Sequence, residues 1–224
     1  HRAISSQLNH QPRNDLFVQL CGGTFSQDKK RAARNVQVVM QTLTADGRIL
    51  QSGSASFPSA YDSPIFYHNN SPTWNETVRV ALDPSVMANA HLIFKFALCS
   101  TTQQKSETFS FAFLRLCNAD GSLIANGPYE LGTYAFRADL TPHMYLEEDR
   151  LKCTPRKEKF RLIATFCSNL MTPNSYLHKL LNRDIFADQI TSTLRQFSTI
   201  PSIEVAKIFV KLMDSLLQIL VDSA

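Results

Sequence analysis

Ser71-Pro72-Thr73-Trp74-Asn75-Glu76-Thr77-Val78-Arg79-Val80 is a proline-led turn that runs straight into an alternating strand, and it holds the chain's single tryptophan. Pro72 has no N–H to donate, which bars it from a central ladder position, whereas Thr77, Val78 and Val80 favour a pleated, half-buried surface. The stretch reads as a β-sandwich corner, with a strand over Thr73 to Leu82.

The same period-two signal recurs along the chain, punctuated by turn residues. After a polar lead over residues 1–13, it predicts strands at Leu16 to Leu20 and at Asn35 to Leu43, the latter with Val36, Val38 and Met40 on one face. Further strands are expected at Ser63 to His68, His91 to Leu98 and Phe109 to Leu116, where Phe109, Phe111 and Phe113 share a face. A last pair is expected at Tyr129 to Arg137 and Phe160 to Cys167, separated by a charged, proline-containing loop from Thr141 to Lys159. Ala45-Asp46-Gly47-Arg48 and Ala119-Asp120-Gly121-Ser122 carry tight-turn chemistry, the glycine supplying the positive φ, so the chain after Ile49 should pair back antiparallel.

Near Ser168 the apolar spacing changes from two to three and four, and helices are expected. Asn174 or Ser175 can cap a helix over Tyr176 to Leu181, and Asp184 another over Ile185 to Phe197. From Ser202 a third helix sets Ala206, Phe209, Val210, Met213, Leu216, Leu217 and Leu220 on one stripe that must be buried. The division is thus a sandwich over residues 14–170 and a helical segment over 171–224, the first layer of a larger helical region.

The 224 residues are 44% hydrophobic, enough for one large core with a helical appendage. Twenty-three Lys and Arg against 19 Asp and Glu leave +4, an excess that matters only where it is concentrated. Five cysteines (Cys21, Cys99, Cys117, Cys153, Cys167) are odd in number and mostly set in apolar runs, the usage of buried free thiols in an intracellular compartment. The start, His1-Arg2-Ala3-Ile4, has neither an initiator Met nor a signal-peptide core, as in a piece excised from a larger cytosolic protein.

Catalytic patterns are missing from the sequence: no Gly-x-Ser-x-Gly, P-loop, His-Glu-x-x-His or Cys-x-x-Cys. The enzyme alternative is a nucleophile at Cys99 or Cys167 paired with one of His68, His91, His143 or His178, which scatter over different elements. No metal or cofactor is expected, because no acidic, His or Cys group has ligand spacing; Glu147-Glu148-Asp149 reads as a solvated loop.

The densest basic site before the helices is Gln27-Asp28-Lys29-Lys30-Arg31-Ala32-Ala33-Arg34-Asn35, on the connector between two strands. Lys105, in the polar connector Ser100 to Glu107, falls where a sandwich could bring it to the same end. Converging cations on loops held by a rigid sheet make a socket for phosphate oxygens, and each adds on the order of 1 kcal/mol near an anionic leaflet. Docking to a membrane is favoured; the alternative is a connector that only keeps the domain soluble. Lys152 to Lys159, interrupted by Pro155 and Glu158, reads as solvated loop. Nucleic acid is not expected, since no aromatic pair interleaves with the cations and no zinc or helix-turn-helix pattern surrounds them.

The order of these features resembles one branch of C2 domains, the Dock-homology region 1 (DHR-1) of DOCK-family guanine-nucleotide exchange factors. Pro72-Thr73-Trp74-Asn75-Glu76-Thr77 is similar to the family's Pro-x-Trp-Asn-Glu turn, and Asn14 to Leu20 with Arg34 to Val38 to its opening. Ala45 to Arg48, Ser63 to Tyr67, Lys105 to Glu107, Phe111 to Phe113, Asp120 to Leu123, Phe166 to Asn174 and the final helix follow in order. The resemblance implies a mainly β, antiparallel C2-type β-sandwich followed by the start of an armadillo-like helical region. It implies calcium-independent binding of phosphatidylinositol 3,4,5-trisphosphate through basic loops, with Lys29, Lys30, Arg31, Arg34 and Lys105 meeting the headgroup. It further implies recruitment from the cytoplasm to the plasma membrane, no enzymatic activity in this chain, and a Rac-type GTPase and an ELMO-type adaptor engaged by other regions of the parent. Gln27 stands where the family has a basic residue, and Ala97 and Leu98 where its third loop has Arg or His. Those departures favour the alternative of a C2-like interaction module with a degenerate lipid site.

Overall fold

Alternation along the strands decides which side chains face each other. In the computed structural model, which describes residues 13–25, 35–50, 60–100, 106–147 and 152–222, the strands are β1 (Asn14–Gly23), β2 (Val36–Thr44), β3 (Ala60–Asp62), β4 (Glu76–Ala81), β5 (Ala90–Cys99), β6 (Ser106–Arg115), β7 (Gly127–Ala135) and β8 (Pro155–Ser168). All pair antiparallel, in the order β3-β2-β5-β6-β7-β8-β1-β4. β6 and β7 share just two register pairs, Ser110 with Ala135 and Phe111 with Tyr134. At that narrow seam the sheet folds over, and its two halves meet as a β-sandwich.

The inner faces follow period two. Leu16, Val18 and Leu20 of β1 and Phe160, Leu162, Ala164 and Phe166 of β8 pack in one cluster with Val36, Val38 and Met40 of β2 and Leu92, Phe94 and Phe96 of β5. Phe160 is the contact between halves, its ring 5.0 Å from Phe94 and 5.1 Å from Phe96. Trp74 closes one end: it is 5% exposed, its Nε1 donates to the Pro64 carbonyl at 3.1 Å, and Phe25, Phe66 and Phe160 stand edge-on at 6.2, 6.5 and 6.2 Å. Pro72 has no ladder role; its carbonyl accepts from Gly23 N–H at 3.2 Å. β4 begins at Glu76 rather than Thr73, because Asn75 takes φ 52° and turns the chain into the edge strand.

Both Asp-Gly turns form. Gly47 and Gly121 have φ of 88° and 86°, and Leu43 with Ile49 and Cys117 with Leu123 bridge antiparallel across them. Other expectations shift. Ser63 to His68 is not a strand: β3 is Ala60–Asp62, and Phe66 makes an isolated bridge to Val36. The three phenylalanines of β6 do not share a face, because a bulge opposite Phe96 and Ala97 turns Phe109 to the inner core while Phe111 and Phe113 point outward. Cys117 and Cys153 are buried, but Cys21 and Cys99 are half-buried and Cys167 is exposed; all five are free thiols.

Thr141 to Lys159 is not simply a loop. It holds a turn of helix, α2 (His143–Leu146), and the first five residues of β8. Tyr145, Leu146 and Cys153 cover the outward residues Leu43, Ile93 and Phe111, giving the β5–β6 half a second core. Inside that core His91 is 1% exposed, with Nε2 2.7 Å from the Tyr145 hydroxyl.

The helices are α1 (Pro84–Met87), between β4 and β5, then α3 (Ser175–Leu181), α4 (Ile190–Arg195), α5 (Ser202–Lys207) and α6 (Phe209–Asp222). Asn174 caps α3 through Leu177 N–H at 3.0 Å. Asp184 caps nothing; a 3-10 turn at Ala187–Gln189 leads into α4. The last helix breaks at Ile208, and the buried face is Ile208, Leu212 and Ser215 with Leu216 and Ile219 beside them, packed on Leu177 and Leu180. Most of the stripe read from the sequence lies outward: Phe209, Val210, Met213, Leu217 and Leu220 are exposed.

Replacing Trp74 by Ala should cost about 3–5 kcal/mol in urea unfolding, from lost packing and the cavity left behind. Trp74→Phe, which loses chiefly the bond to Pro64 and part of the ring, should cost about 1–2 kcal/mol.

Burial, with Arg115 nearby, lowers the His91 pKa from 6.5 to about 4. Above pH 6.5 the ring is neutral in both states; below it the unfolded chain takes up the proton first. Stability should therefore fall as pH drops from 6.5 towards 4, by up to about 3 kcal/mol. Thermal unfolding across that window checks this, and His91→Gln should flatten the dependence.

Candidate functional site

The cations Lys29, Lys30, Arg31, Arg34 and Lys105 lie outside the described residues, as does Gln27. The residues that flank their connectors are described, and they meet. Asn35 and Cys99 exchange hydrogen bonds: Cys99 N–H to the Asn35 carbonyl at 2.9 Å, and Asn35 Nδ2 to the Cys99 carbonyl at 3.0 Å. Cys99 in turn pairs with Ser106 at the start of β6. The last described residue before segment 26–34, the first one after it, and both flanks of 101–105 are thus held at one end of the sandwich. Phe25, fully buried, pins the near side by donating its N–H to the Asn70 carbonyl at 2.7 Å and placing its ring 4.7 Å from Phe96.

Two more groups belong to this end. His68 N–H donates to Asn35 Oδ1 at 2.9 Å, and the neighbouring Tyr67 is 59% exposed, an amphipathic ring at the rim. Thr24 N–H reaches the Lys159 carbonyl at 3.4 Å, which brings the start of β8 alongside. There Lys157, Lys159 and Arg161 are all exposed, on one face. Sequence reading missed these three as a group, because Pro155 and Glu158 made the run look like loop; the alternation from Glu158 to Phe166 was the available signal. Ala97 and Leu98 are not loop residues: both lie within β5, Ala97 buried and Leu98 half-buried against the inner core.

The enzyme alternative gains no geometry. Among the described residues no cysteine hydrogen-bonds a histidine; the Cys99 thiol sits 3.6 Å from Gln37 Oε1, and burial pushes its pKa up. His91 is held by Tyr145, and His178 has Nε2 2.9 Å from the Asp120 carbonyl, burial pushing its pKa down. Asp120 also accepts from Ser122 Oγ at 2.6 Å and Ser175 Oγ at 2.9 Å, which ties the second Asp-Gly turn to α3. His143 stands 3.7 Å from Glu147, while Glu148 and Asp149 lie outside the described residues. Among the described residues no three His, Cys, Asp or Glu gather where a metal ion could be held. Among them, too, no helix is long and apolar enough to cross a membrane.

Residues 9–176 match the model of the C2 domain in Dock180 and Zizimin proteins. Human Dedicator of cytokinesis protein 4 is 30% identical over 93% of the chain, and mouse Dedicator of cytokinesis protein 3 is 31% identical over 94%. The chain spans about an eighth, 12%, of either relative's length. Among solved structures, a C2 domain of plant Extended Synaptotagmin 1 overlays with a TM-score of 0.44 at 12% identity, covering 70% of this chain and 95% of that one. That overlay is loose and adds nothing to the family match. The chain belongs to the family of C2 domains found in Dock180 and Zizimin proteins.

Proposed function

We propose that this chain is a non-enzymatic, calcium-independent membrane-docking domain. It would bring a guanine-nucleotide exchange factor for a Rac-type GTPase from the cytoplasm to the plasma membrane. Its ligand would be a phosphoinositide, phosphatidylinositol 3,4,5-trisphosphate first among them, met by Lys29, Lys30, Arg31, Arg34 and Lys105. The observation that carries the reading is the Asn35–Cys99 pair, which fixes the flanks of both cation-bearing connectors at one end of a rigid sandwich. Preset spacing lowers the ordering cost of binding, so that modest contributions from each cation can add. Residues 14–170 would be the docking unit. Residues 171–224 would begin a helical region, and the exposed row of Phe209, Met213 and Leu217 on α6 supports that reading. Exchange activity and an ELMO-type adaptor site would belong to other parts of the parent.

One observation favours a second reading, the interaction module. Ala97 is 3% exposed within β5, so it offers no group to the socket, and the supply of cations there is smaller.

Co-sedimentation with liposomes separates the two. Vesicles bearing the trisphosphate should retain the chain better than plain anionic ones, and Lys30→Glu/Arg34→Glu should weaken that retention by about tenfold or more. Equal retention on both vesicle types would favour the interaction module. EDTA should change nothing; a large loss would contradict the calcium-independent reading.

A further inference from the structure

Strand β8 sorts the charges of residues 156–161 onto opposite faces, because successive side chains point to opposite sides. Arg156 and Glu158 pair with each other, Nη2 to Oε1 at 3.2 Å, and the guanidinium lies over the Phe109 ring at 5.6 Å. Glu158 is only 4% exposed. The acid that interrupts the basic run in sequence is thus buried and committed to Arg156, although its residue also lines the cleft beside Lys157. Lys157, Lys159 and Arg161 point the other way, exposed, and none has an ion pair among the described residues.

On the β7 side there is room: Gly132 stands opposite Lys159. Gly22 of β1 stands opposite Arg161, but the Pro72 carbonyl fills that side, 2.7 Å from where a Cβ would sit. A Cβ at Gly132 would meet nothing nearer than the Tyr134 hydroxyl at 3.9 Å, so the space beside Lys159 is open. The result is a cleft of about 420 Å³ along β8, lined by Lys157, Glu158, Lys159 and Arg161, with Thr24 and, across from Arg161, Glu130. The outer face of the β5–β6 half is covered by α2 and its flanks, whereas this one is bare among the described residues.

We propose that the outward face of β8 is a second anion-binding surface, and that its occupant is the phosphate headgroups of an anionic bilayer. The inference rests on the membrane-docking reading above and extends it from the end of the sandwich to its side. Three cations four residues apart at most span about 13 Å along a flat strand, a row suited to several headgroups at once. Thr24 joins that row to the basic end through its bond to the Lys159 carbonyl. A peptide partner would call for a buried apolar anchor. The residues lining this cleft are polar or charged.

The whole chain is sedimented with vesicles of phosphatidylcholine alone, with added phosphatidylserine, and with added trisphosphate lipid. Lys157→Gln/Lys159→Gln/Arg161→Gln should lower affinity for phosphatidylserine vesicles about tenfold or more, with an unfolding curve like the parent's. Glu130→Gln should raise that affinity about threefold, since it removes the carboxylate opposite Arg161. Unchanged vesicle binding by the triple variant overturns the proposal, even where that variant loses a glutamate-rich peptide the parent holds. If Lys30→Glu/Arg34→Glu alone abolishes binding, the connector reading stands and the strand surface fails. If only the triple variant loses binding, the strand surface stands and the connector site fails.

Discussion

The end of this sandwich that holds the flanks of segments 26–34 and 101–105 hangs on the aromatic junction of Trp74, Phe25, Phe96 and Phe160. β5 supplies Phe96, β8 supplies Phe160, the segment after β1 supplies Phe25 and the loop before β4 supplies Trp74, so one cluster clamps both halves of the folded sheet. Rings packed at 4.7 to 6.2 Å, tilted or edge-on, combine large apolar burial with fixed orientation. Directly outside them lie Asn35, Cys99 and Thr24, where the cation-bearing connectors are anchored. The tryptophan is therefore scaffold, and it sets the spacing of groups it does not touch.

A second constraint is the inequality of the two outer faces. On the β5–β6 half, Ile93 and Phe111 point outward and are apolar, so the chain must return to cover them, which it does with Tyr145, Leu146 and Cys153. On the β7–β8 half, the outward positions of β8 carry Lys157, Lys159, Arg161, Thr165 and Cys167, with the half-buried Ile163 the one aliphatic side chain among them, so that face has little to cover. One face of the sandwich is thereby spent on stability and the other left free for contact. The same return segment feeds straight into β8, so covering the first face delivers the basic row to the second.

Much of the sandwich was legible because period-two alternation and two Asp-Gly turns are local signals. Val36, Val38 and Met40 share a buried face as expected, and of the two cap candidates Asn174 and Ser175 it is Asn174 that caps the helix. What was not legible depended on contacts distant in sequence. The bulge at Phe96 and Ala97 that parts Phe109 from Phe111 is a mismatch between two strands, visible in neither one alone. Thr141 to Lys159 looked like loop because its charges are written consecutively, and only pairing with β7 splits Arg156 and Glu158 from the outward lysines. α6 is apolar on two sides, so sequence could not say which side meets α3; Leu212 and Ser215 do, and Phe209 and Leu217 do not. The site was legible only as a composition, a dense basic connector. Its five named cations fall outside the described residues, and what the structure adds is the shared anchoring of their flanks.

The central claim is that one end of the sandwich and the adjoining face of β8 together meet an anionic bilayer. The most direct measurement is amine labelling of lysines, read by mass spectrometry with and without phosphoinositide-bearing vesicles. Lys29, Lys30, Lys105, Lys157 and Lys159 should label more slowly on the vesicles, while the exposed helical residues Lys207 and Lys211 keep their rates. Protection confined to Lys207 and Lys211, or spread evenly over all lysines, would contradict the account.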